Sequence, residues 1–177
     1  NSGISVETDF RFYIVCDNST LADTSNIVNF TINDPADCYC VPEGTNSSRY
    51  IDDFSTTNAI QNITNNGSGF SPNGYGEFLN DTVSQVKGQS FDFSVEMGGT
   101  STYGFKIWID WNQDGQFDAS EVAYQSSSYG STHTGIVTVP LNAMSGPTRM
   151  RIANSYTPNS GPSGPCLVGY GSGEFED

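Results

Sequence analysis

Apolar and polar residues alternate with a period of two along much of the chain, and no stretch sustains a helical period. Phe91, Phe93 and Val95 alternate with Asp92, Ser94 and Glu96, and Phe105, Ile107 and Ile109 alternate with Lys106, Trp108 and Asp110. Met150 and Ile152 alternate with Arg149 and Arg151, and Val137 and Val139 belong to a run stopped by Pro140. Successive side chains of a strand point to opposite faces, so each run predicts a strand with one apolar face. Nearer the start, residues 12–15 and 27–32 read as two strands joined by a turn-rich segment at 17–26. The Gly- and Asn-rich stretches 65–76 and 159–164 read as long loops, where function or mobility concentrates. Short strands punctuated by Gly, Asn, Ser and Pro are the signature of a sandwich or a barrel, and we expect an all-β fold, an antiparallel β-sandwich of jelly-roll-like kind.

The strand pattern breaks near 34–40, at Asn-Asp-Pro-Ala-Asp. Two strands before that break cannot make a domain alone, since an isolated hairpin is marginal in water. Residues 1–37 are therefore expected to be the tail of a preceding β-sandwich, and residues 38–177 a domain of their own. With 35% hydrophobic residues in 177, the chain can bury a sizeable core. The 20 acidic and 6 basic residues leave a net charge of −14, which repels nucleic acid and anionic lipid and attracts divalent cations. Apolar runs stay far below the roughly 20 residues of a membrane helix, so direct membrane insertion is not expected. The chain opens Asn-Ser-Gly without an initiating Met and reads as a mature or excised piece of something longer.

Cys16, Cys38, Cys40 and Cys166 lack the paired knuckles of a zinc site, so disulfides formed in an oxidising compartment are expected, placing the protein outside the cell or at its surface. Cys38 and Cys40 are too close to bridge each other without strain, so each must find Cys16 or Cys166. We favour Cys16–Cys38 with Cys40–Cys166; the swap, Cys16–Cys40 with Cys38–Cys166, is equally allowed by this argument.

The sharpest chemical motif is residues 110–121. Asp110, Asn112, Asp114, Gly115 and Glu121 fit the pattern D-x-[DN]-x-[DN]-G-x₅-E at every specified position. Ca²⁺ needs six to eight hard oxygens, and alternate side chains at 110, 112 and 114, the Gln116 carbonyl, and the Asp118 and Glu121 carboxylates can supply them around the turn at Gly115. Unlike an EF-hand, this loop follows a strand, so it is expected to clamp the fold and not to sense calcium. Catalysis has little support. His133, the only histidine, sits in Gly-Ser-Thr-His-Thr-Gly and reads as a solvated turn residue, and no nucleophile elbow or zinc-protease motif occurs. Trp108 and Trp111 could present flat faces to a sugar, although packing against a second sheet accounts for such rings as well. One pairing is also expected between strands. Arg149 and Arg151 share a face, as do Glu174 and Glu176, so neighbouring strands would set an Arg-x-Arg ladder against a Glu-x-Glu ladder.

Cys40-Val-Pro, Tyr50-Ile51, the run from Ile107 to Asp118, Val139 to Gly146, Thr148-Arg-Met-Arg151 and Gly173-Glu-Phe-Glu-Asp177 follow one order. Together they resemble the GEVED domain of secreted Bacteroidota-type bacterial proteins, with Phe175 where the family usually has Val. The resemblance covers about residues 38–177, and residues 1–37 are similar to the last strands of a fibronectin type III-like domain. It implies a non-catalytic accessory module of a large exported protein, often carried by the type IX route. Its partners would be neighbouring domains of the same polypeptide and an extracellular glycan or protein, in a structural or adhesive role. A carbohydrate-binding module of a secreted hydrolase is the alternative. Asp81-Thr82-Val83 further resembles the O-glycosylation site of the same bacteria, which would make Thr82 an acceptor.

Overall fold

The computed structural model describes residues 8–15, 22–30 and 39–177. Residues 51–176 build two sheets. The strands are β5 (Ile51–Thr57), β6 (Thr64–Asn66), β7 (Tyr75–Gly76), β8 (Ser90–Met97), β9 (Gly104–Ile109), β10 (Val122–Gln125), β11 (Thr132–Thr138), β12 (Met150–Ser155) and β13 (Phe175–Glu176). One sheet has the order β10-β9-β12-β13-β7 and the other β11-β8-β5-β6. The pairs are antiparallel, as expected, except for β13 and β7, which run parallel.

The expected alternation holds where it was sharpest. Phe91, Phe93 and Val95 of β8 meet Phe105, Ile107 and Ile109 of β9 in one core with Phe54, Val137 and Ile152. The Phe93 and Phe105 rings lie 5.8 Å apart across the two sheets. His133 departs from its reading as a solvated turn residue. It lies within β11, 8% exposed, its Nε2 bonded to the Tyr103 carbonyl at 2.8 Å and its ring stacked on Phe105.

The outer face of the five-stranded sheet is covered too. Trp108, Phe117, Ala153 and Phe175 form a second cluster there, under Tyr39, Tyr75, Leu167 and Tyr170. All six residues of β9 are consequently buried. Trp108, 3% exposed, has no face to offer a sugar, which removes it as a ligand platform. A disulfide joins Cys40 to Cys166, with the Cα atoms 5.7 Å apart, and ties down the segments that bear this cover. Cys16 and Cys38 lie outside the described residues.

Upstream, β1 (Thr8–Phe10) pairs with β4 (Val28–Phe30), and β2 (Tyr13–Val15) pairs with β3 (Ala22–Thr24). The segment read as turn-rich, 17–26, thus contains a strand, because local turn propensity yields to a neighbouring edge. Among the described residues, the strands of these two small sheets pair with neither sheet of the sandwich.

Candidate metal loop and buried carboxylate pair

The loop 110–121 leaves the sandwich at the end of β9. Asp110 is fully buried, its N–H bonded to the Arg149 carbonyl at 3.1 Å and its own carbonyl accepting the Thr148 hydroxyl. Its Oδ2 accepts the Tyr39 hydroxyl at 2.5 Å and the Gly115 N–H at 2.9 Å, while Oδ1 accepts the Asp114 N–H at 3.3 Å. Burial and the bond to Asp110 push the Tyr39 phenol up to about 12, so it remains a donor through the physiological range.

Asp114 N–H also reaches Asn112 Oδ1 at 3.0 Å, and Gln116 N–H reaches Asp114 Oδ1 at 2.9 Å. These successive Asx turns coil the backbone about itself. Gly115 adopts φ 81 and Gln113 φ 56, conformations that glycine takes without strain and other residues take rarely. Glu121 closes the ring. It is 3% exposed, and its carboxylate accepts the N–H of Asn112 at 3.3 Å and of Asp118 at 3.0 Å.

The residues therefore fit a hard cation by donor chemistry. A carboxylate has about four lone-pair sites, and three are used on Asp110 and two each on Asp114 and Glu121. Among the described residues, however, no three Asp, Glu, His or Cys side chains already converge on a metal-sized point. A bound ion would have to draw in the exposed side chains of Asn112, Asp114 and Asp118.

The expected ladder between Arg149–Arg151 and Glu174–Glu176 does not form, although the strands that carry it are adjacent. β12 and β13 are neighbours, but their register sets Ile152 opposite Glu176 and Ala153 opposite Phe175. The glutamates thus face the space between the sheets, with Ile152, and the arginines face the outer cluster, with Phe175. Arg151 instead holds Asp177 through Nε at 2.5 Å and Nη2 at 2.6 Å, and Arg149 reaches the same carboxylate at 3.2 Å. The signal was present in the sequence: Asp177 is two residues from Phe175, so it shares that residue's face.

Glu174 staples the two sheets. A register shift in β5 between Ile51 and Asp53 frees the Ile51 N–H, which donates to Glu174 Oε2 at 3.0 Å, while Ser71 N–H donates to Oε1 at 2.6 Å. Glu176 is 3% exposed and accepts the Ser68 hydroxyl at 3.0 Å. Burial raises Glu174 to about 7. Burial, and then the facing Glu174 carboxylate, raise Glu176 to about 8. Both glutamates bind protons more tightly folded than unfolded, so their contribution is complete below about pH 4.5 and is lost as pH rises through 7 and 8. We expect urea midpoints to fall between pH 5.5 and 8.5, and Glu176→Gln to flatten that slope. An unchanged slope in the variant would overturn the assignment.

Thr82 lies exposed in an irregular stretch before β8, and Trp111 is half-buried against the inter-sheet core. Residues 104–177 match the family model of the GEVED domain. No curated protein and no solved structure matches the chain.

Proposed function

On the premise that residues 104–177 form a GEVED domain, we propose that the chain is a calcium-stabilised structural or adhesive module within a large secreted or cell-surface bacterial protein. GEVED is a non-enzymatic domain family of extracellular proteins, and the Cys40–Cys166 disulfide fits such a location. The observation that carries the calcium reading is the closure of the loop 110–121, where Glu121 folds back on the amide of Asn112. That closure puts the first and last ligand-type residues on one short ring with lone pairs to spare. Ca²⁺ would there join Asp110, Asn112, Asp114, the Gln116 carbonyl, Asp118 and Glu121. It would clamp β9 to β10, and through Phe117 the outer cluster.

An ion that binds only the folded state stabilises it by mass action, about 2.7 kcal/mol at 100 times Kd. The melting temperature is expected to rise with added Ca²⁺ and to fall with chelator. Asp114→Ala should abolish that response while leaving the ion-free protein folded, since Asp114 is exposed and buries nothing. Calorimetry that detects no Ca²⁺ binding below millimolar would count decisively against the clamp.

A further inference from the structure

A cleft of about 940 Å³ opens between the two sheets, at the end of the sandwich bordered by residues 78–87 and 139–149. Its size is that of a small-molecule site, and sites of this kind are mostly apolar with a few placed polar groups. The inner walls are Phe54 and Ile63 from one sheet side and Ile109, Trp111, Met150 and Ile152 from the other. None of the expected calcium ligands lines it, so it stands apart from the loop reading.

The polar groups around the cleft are not equivalent. The Arg149 guanidinium lies 3.2 Å from Asp177 and 3.7 Å from Glu77, and Asp177 also holds Arg151. Glu176 is nine-tenths buried, lines the cleft and uses Oε1 for the Ser68 hydroxyl. No hydrogen bond among the described residues reaches its Oε2. The acidic neighbours Glu174 and Asp52 add negative potential at that point. Asp81 and Lys87, exposed at the rim, carry opposite charges, and the protein as a whole carries −14. An anionic headgroup is repelled there, and a sugar would leave most of its hydroxyls against hydrocarbon. A protonated amine is the group that gains both a charge-assisted hydrogen bond and a counter-ion.

We propose that this cleft binds a small cationic amphiphile, its apolar body between the sheets and its ammonium on the Glu176 carboxylate. The headgroup sets the preference and the hydrocarbon walls supply the burial.

The probes are n-octylamine, n-octanol and n-octanoate, titrated into the full chain at about pH 9, where Glu176 is ionised and the ammonium keeps its proton, and at about 0.15 M salt, where long-range surface attraction is screened. Tryptophan fluorescence reports the event, because Trp111 lines the cleft while Trp108 is buried on the far face of β9. Octylamine is expected to bind saturably and about 10- to 100-fold more tightly than octanol, the range for a hydrogen bond to a charged group. Octanoate should bind least. Glu176→Gln should erase the advantage of the amine and leave octanol unchanged. Should that variant not fold, NOEs in the wild-type protein from the octyl chain to the Met150 and Ile152 methyl groups locate the ligand. Equal affinity for amine and alcohol, preference for octanoate, NOEs elsewhere, or no binding by any probe would each overturn the proposal.

Discussion

Arg151→Ala is expected to lose about 3–5 kcal/mol of folding stability, the cost of leaving a buried charge without its partner. The guanidinium is fully buried. It makes two bonds to Asp177, donates to the carbonyls of Pro165 at 2.8 Å and Cys40 at 2.9 Å, and lies 4.9 Å over the Phe117 ring. Lysine cannot replace this fork, so Arg151→Lys should recover little. The effect belongs to a pair that can be named. A double-mutant cycle on Arg151 and Asp177 should show strong coupling, whereas Arg151 with Glu176 should be close to additive, since the two side chains lie on opposite faces of the sheet. A loss below about 1 kcal/mol, or coupling to Glu176 instead, would refute the arrangement.

Breaking the Cys40–Cys166 disulfide is expected to cost at least as much. The bridge spans 126 residues, and the chain-entropy model assigns about 5 kcal/mol to a loop of that length. Urea denaturation of a Cys40→Ala/Cys166→Ala variant measures the loss, and non-reducing peptide mapping checks the pairing. Because Arg151 donates to the Cys40 carbonyl, the double-cysteine variant and Arg151→Ala should be non-additive. Finding Cys166 joined to Cys38, or free thiols at 40 and 166, would sink the prediction.

Much of the sandwich was legible because a strand with one dry face must alternate. The runs at 91–96, 105–110 and 149–152 therefore announced both their secondary structure and their inner faces. The loop 110–121 was legible for another local reason: oxygen-bearing side chains at alternate positions around a glycine turn are contained in consecutive residues. The favoured Cys40–Cys166 bridge also came from the sequence, although the elimination argument alone left its swap open.

Tertiary structure decided what depends on register and on second layers. Alternation shows that Arg149 and Arg151 share a face and that Glu174 and Glu176 share one, but not that the two faces are opposite. Only the pairing of Ile152 with Glu176 shows that, and it makes Asp177 the partner of the arginines. A run that alternates Ile with Trp predicts one buried face. Trp108 is nevertheless buried, because residues distant in sequence, among them Tyr39, Phe117 and Phe175, cover the outer face as well. His133 likewise reads as a turn residue from its Gly, Ser and Thr neighbours, and becomes interior when β11 pairs with β8. The cleft had no sequence signal at all. Its walls come from strands and loops far apart in the chain, brought together by packing forces that act through space and not along it.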